Sequence, residues 1–133
     1  MTHIFNNFKI TSIRKESKPA PWDKGTEHVH AHHWITVTNT ETHEHTGFDF
    51  WASIANPEIK TEYDIMNAFR AFVEDALSGT YTFPEFCNEF GYDEDSRAAE
   101  KTWKSCHRAY EKFDRLTNGA DIYGFLDTLE EYA

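Results

Sequence analysis

Apolar and polar positions alternate with a period of two over residues 1–55 and with a period near that of a helix over residues 58–133. The change of period predicts an α+β chain, with a sheet part first and a helical part after it. In the segment Ile4 to Ile13, Phe8, Ile10 and Ser12 alternate with Lys9, Thr11 and Ile13, as a strand requires. Lys15 to Gly25 carries Pro19, Pro21 and Gly25 in a polar setting and reads as a loop. Glu27 to Thr38 returns to β-branched and aromatic residues, Asn39 to Thr42 forms a turn, and His43 to Ile54 runs back. Phe48, Phe50 and Trp51 on that returning strand cannot all face one side. The economical assembly is a three-stranded antiparallel N-terminal sheet.

Four helices are predicted beyond Pro57. Thr61 and Asp64 mark an N-terminus, and Ile65, Phe69, Phe72, Val73, Ala76 and Leu77 form one side of a helix ending near Ser78 and Gly79. Thr82 and Glu85 form a capping-box pattern around Pro84, so a second helix starts at Phe83 and carries Phe83, Phe86, Cys87 and Phe90 on one face until Gly91 stops it. A third opens with Asp93, Glu94, Asp95 and Ser96, and its seam is Ala99, Trp103, Cys106, Tyr110 and Phe113. It runs to about Leu116, where Asn118 and Gly119 break it. The last begins at Asp121, with Ile122, Phe125, Leu126 and Leu129 inward. The sheet is expected to pack against these helices as a single domain, 1–133, a length suited to one core.

Composition sharpens this picture. The 21 aromatic residues supply a substantial core despite the low mean hydropathy of −0.71. No apolar run reaches the length of a membrane span and Met1 to Phe5 lacks the features of a signal peptide, so a cytoplasmic protein is expected. The two cysteines, Cys87 and Cys106, fall on inward faces and read as buried thiols. Of the net charge of −10, residues 1–57 contribute −1 and residues 58–133 contribute −9. A field of that sign repels nucleic acid and attracts basic protein surfaces.

One string stands out as a signature: Phe83, Phe86, Cys87, Glu89, Phe90, Gly91, Tyr92, Asp93, Asp95, Ser96, Arg97, Ala99 and Cys106, in the spacing FxxFCxEFGYDxDSRxAxxxxxxC. Together with Asp75 to Gly79 and the strand around Trp34, it resembles a family of small acidic phage- and prophage-encoded proteins, some of which antagonise host defence systems, CRISPR effectors among them. The resemblance covers roughly residues 32 to 116. It implies a bacterial host cytosol and a host protein or nucleoprotein complex as partner.

Candidate chemistry is sparse. Seven of the eight histidines lie in the first 45 residues, and His28, His30 and His32 alternate on one strand face with His43 and His45 on the facing strand. Such imidazoles can converge on Zn²⁺, which defines the alternative of a metal-binding protein or metal-dependent enzyme. The companions of a catalytic metal, HExxH or paired cysteines, are missing from the sequence. Asp93 to Ser96 does not extend into an EF-hand loop, because the sixth and twelfth positions hold Ala98 and Lys104. The favoured reading is a non-enzymatic binding protein with no cofactor. Glu85, Glu89, Asp93, Glu94, Asp95 and Glu100 are its site, a basic host protein is its partner, and neither nucleic acid nor membrane is contacted directly.

Overall fold

The computed structural model describes residues 1–18, 30–52 and 58–132. The elements in chain order are β1 (Thr2–Phe5), β2 (Phe8–Lys18), β3 (His30–Asn39), β4 (His45–Trp51), α1 (Glu62–Ser78), α2 (Phe83–Phe90), α3 (Arg97–Thr117) and α4 (Ile122–Tyr132). The α+β class holds, and the sheet has four strands rather than three, in the order β1-β2-β3-β4. All neighbours pair antiparallel.

The extra strand arises where a single strand from Ile4 to Ile13 was expected. Asn6 takes a φ of 52°, a left-handed conformation that asparagine tolerates better than other side chains, and Phe5 then pairs with Phe8 across a two-residue turn. The turn is anchored from below. Asn7 Nδ2 donates to Asn39 Oδ1 at 3.1 Å, and the Thr40 N–H donates to the Asn7 carbonyl at 2.8 Å.

Period two sorts the sheet into faces. His3, Phe5, Phe8, Ile10, Ser12, His33, Ile35, Val37 and Phe50 are buried on one of them. Phe8 meets Phe69 of α1 with ring centroids 6.1 Å apart. On the other face Trp34 lies over Gly47, close enough that a Cβ there would come 2.9 Å from Trp34 Cε2. Trp51 shares this second face, as the alternation of β4 demands, while Phe48 and Phe50 take the first. Predicted strand residues 27–29 and 53–54, and the loop residues 19–25, lie outside the described residues.

The helices follow their caps. Thr61 Oγ1 accepts the Asp64 N–H at 3.2 Å, and Asp64 Oδ2 accepts the N–H groups of Lys60 and Thr61 at 2.9 and 3.0 Å. Those bonds, the one from Lys60 first, hold the Asp64 carboxyl below its ordinary pKa. One boundary moves. Asp93 to Asp95 precede α3 instead of forming its first turn, because Ser96 is the N-cap and accepts the Ala99 N–H at 3.1 Å. Asn118, at φ 56°, closes the helix.

The chain divides into two compact units, Met1–Phe69 and Arg70–Ala133, with the boundary inside α1. The first holds the sheet and the start of α1. In the second, Arg70 Nη2 donates to the Leu129 carbonyl of α4 at 2.9 Å, and Phe113 of α3 meets Phe125 edge-on at 5.1 Å. Among the described residues, no helix is long and apolar enough to cross a membrane.

Candidate functional site

The junction of α2 and α3 gathers most of the predicted site. Thr82 and Glu85 form the reciprocal capping box read from the sequence: Thr82 Oγ1 accepts the Glu85 N–H at 3.4 Å, and Glu85 Oε1 accepts the Thr82 N–H at 3.2 Å. Hydrogen bonds from the Thr82 hydroxyl first and its N–H second hold the Glu85 carboxyl below its ordinary pKa. This fixes the start of α2 and directs Phe86 and Cys87 inward, each 2 % exposed. At the other end Gly91, with φ 73°, reverses the chain, and the Tyr92 N–H donates to the Cys87 carbonyl at 2.9 Å.

The reversal places two aromatic rings on the surface. Phe90 is 48 % exposed and Tyr92 45 % exposed. Both rest on the buried Phe86 ring, Phe90 at a centroid distance of 4.9 Å and Tyr92 stacked at 5.6 Å with 15° between planes. Phe90 was expected on the inward face with Phe83 and Phe86. Its place in the last turn, next to Gly91, leaves nearly half of it in solvent.

Carboxylates flank these rings along the chain. Glu89, Asp93, Glu94 and Asp95 are exposed, and none has a basic partner among the described residues. Asp93 Oδ1 accepts the Asp95 N–H at 3.1 Å, which shapes the turn. Their charge is felt inside. The Cys87 thiol is pushed above its ordinary pKa by burial first, then by Glu94 and Asp93. Burial also leads the upward shift at Cys106, so neither thiol is poised as a thiolate.

The other two predicted carboxylates separate from this group. Glu85 is committed to its cap. Glu100 pairs with Lys104 at 3.0 Å and sits among cations. Six of the eight basic residues after position 57 belong to α3, against three acidic ones. Arg97, Lys101, Lys104, Arg108, Lys112 and Arg115 fall within a strip about 80° wide at 3.6 residues per turn. Arg97, Lys101, Lys104 and Arg108, with Glu100, line a shallow open groove of about 260 Å³. The negative helical exterior expected from residues 58–133 is therefore not continuous: carboxylates cluster at the α2–α3 junction and recur along α1 and α4, but α3 itself carries a basic face. Spacings of four, three, four, four and three made this strip readable, but the net charge concealed it.

Among the described residues, the histidines do not assemble as a group. His32 Nε2 lies 2.5 Å from Asp49 Oδ1, and its ring stacks on Trp51 at 4.2 Å. His43 is in the β3–β4 turn at φ 67°, and His45 pairs with Thr38, six residues along β3 from His32, or about 20 Å at the strand rise. The backbone of His30 pairs with Lys18, and His28 lies outside the described residues. Among the described residues, no three or more His, Cys, Asp or Glu side chains are grouped as metal ligands. His33, absent from the predicted site, is 2 % exposed with Nδ1 3.2 Å from Ser12 Oγ. Its Nε2 has no hydrogen-bond partner among the described residues.

No protein-family model, curated protein or solved structure matches this chain.

Proposed function

We propose that this chain is a binding protein that docks a basic protein surface at its α2–α3 junction, with Phe90 and Tyr92 as anchors and Glu89, Asp93, Glu94 and Asp95 as the flanking rim. One observation carries this reading: two exposed rings, fixed on a buried third, are flanked in the chain by four exposed carboxylates without basic partners among the described residues. Rings already held in place lose little freedom on binding, and aromatic anchors dominate many interfaces. A lysine or arginine placed over such a ring gains a cation–π contact and meets a carboxylate at the same time.

Grooves that hold DNA or RNA in protein machines present such cations. A ligand seated in one displaces the nucleic acid, and that displacement is the antagonist role, of the anti-CRISPR kind, implied by the resemblance to phage proteins. The rim speeds encounter through its field, so association is expected to slow as salt rises.

The test begins with capture of partners from a bacterial lysate and continues with the affinity of a recovered basic partner across a salt series. Charge reversal at Glu89, Asp93 and Asp95 is expected to weaken the complex at least tenfold while the melting temperature stays near that of the parent, and Phe90→Ala to weaken it as much with a modest loss of stability from its contact with Phe86. Reversals that leave both affinity and salt dependence unchanged would rule out the acid–aromatic site.

A further inference from the structure

The basic strip of α3 is not used by the proposed docking site, and its chemistry is the opposite. It extends about 27 Å from Arg97 to Arg115, with successive cations about 4.5 or 6 Å apart along the axis. Arg97, Lys101 and Arg108 have no carboxylate partner among the described residues, and Lys104 is shared with Glu100. The apolar side of the same helix is turned inward through Ala99, Phe113 and Leu116, each at most 1 % exposed.

We infer that this strip binds the phosphodiester backbone of a nucleic acid, independently of base sequence. A regular row of cations matches a regular row of monoanions, and a guanidinium or ammonium contacts each phosphate directly. The groove has only charged side chains along it. It offers no aromatic ring for stacking a base, so the contact is with the backbone. It is also smaller than the ~300–1,000 Å³ typical of small-molecule pockets. A lipid surface is a poor fit, because an interfacial helix inserts its apolar face, and in α3 Ala99, Phe113 and Leu116 are buried and Trp103, Cys106 and Tyr110 half-buried.

The net charge of −10 opposes approach from a distance. Salt near physiological strength screens exposed charges beyond about 8 Å, so the contact is set by the strip's six cations together with the nearby Glu100 and Glu111 of the same helix. This inference does not depend on the α2–α3 docking site.

The test is fluorescence anisotropy of a labelled single-stranded 20-mer titrated with the full chain, using two unrelated sequences. Both are expected to bind alike at 50 mM salt. Four unshared cations, Arg97, Lys101, Arg108 and Arg115, give a log–log salt slope of about −3, so binding is expected to weaken about 50-fold between 50 and 200 mM. The Lys101→Glu/Arg108→Glu protein should lose at least tenfold in affinity, and the milder Lys101→Gln/Arg108→Gln pair most of that. Reversal of Glu89, Asp93 and Asp95 should not weaken oligonucleotide binding, and the added positive charge beside Arg97 should strengthen it. No anisotropy change at 50 mM salt would overturn the inference. So would equal binding by both α3 variants, equal competition by polyglutamate, or binding to anionic vesicles in place of the oligonucleotide.

Discussion

Gly79, just past the end of α1, lies against the backbone of Cys106 in the middle of α3. A Cβ at Gly79 would overlap the Cys106 carbonyl and come 2.7 Å from the His107 nitrogen. The contact is locked from its flank. His107 Nδ1–H donates to the Gly79 carbonyl at 3.1 Å, Trp103 stacks on His107 at 5.6 Å, and Trp103 Nε1–H donates to the Tyr81 carbonyl at 2.9 Å. Two backbones can approach this closely only where one residue has no side chain.

Gly79→Ala is therefore expected to destabilise the protein by about 1–3 kcal/mol, because main chain cannot move aside as a flexible side chain would. Urea unfolding measures it. A variant within 0.5 kcal/mol of the parent would refute the backbone contact.

The first hairpin depends on Asn6. Asn6→Ala should cost about 1–2 kcal/mol, since alanine is disfavoured in the left-handed region, whereas Asn6→Gly should be neutral or slightly stabilising. Thermal melts of the two variants check the pair, and equal melting temperatures would contradict the turn.

Thr82→Ala removes the hydroxyl that caps α2 and is expected to cost about 1 kcal/mol. Glu85→Ala should have little further effect in that background, since the two side chains satisfy one another. A double-mutant cycle in urea reads the coupling, and strictly additive losses would mean that the box contributes nothing as a unit.

His33 gives the protein a pH dependence. Burial lowers its pKa from 6.5; Glu58 acts to raise it, and Arg14 and then His32 add to the lowering. The unfolded chain takes up the proton first as pH falls. The resulting stability is present in full above about pH 6.5 and is lost as pH drops through the lowered value. Urea midpoints at pH 7.5 and 5.0 should differ in the parent and differ less in His33→Phe. An unchanged difference in the variant would assign the dependence to other groups.

The helices were legible in the sequence because each carries its own punctuation. Thr82, Glu85, Gly91 and Asn118 act within one or two turns of where they stand, and each was placed correctly from neighbouring residues alone. The first hairpin was not legible, because Asn6 and Asn7 interrupt a continuous apolar alternation without a glycine or proline to mark the turn. Asp93 to Asp95 were misplaced for a related reason: carboxylates suit both a first turn and the residues before a cap, and only Ser96 decides between them. Total charge hid the basic face of α3, which emerges only when positions are plotted around the helix. Parity with Ile35 and Val37 puts His33 on the buried face, but an imidazole is as much at home in solvent as inside, so its type did not mark it.

The short β1 has a practical consequence. It covers β2 only as far as Thr11, with the Ser12 N–H donating to the Met1 carbonyl at 2.8 Å. Past that point Arg14 and Lys15 stand along the strand, charges that discourage another chain from adding to it. Loss of the first five residues would lay bare the rest of that margin, including Ile10 and its neighbours. Such a truncated protein is expected to self-associate into aggregates on storage, even where its helices remain folded.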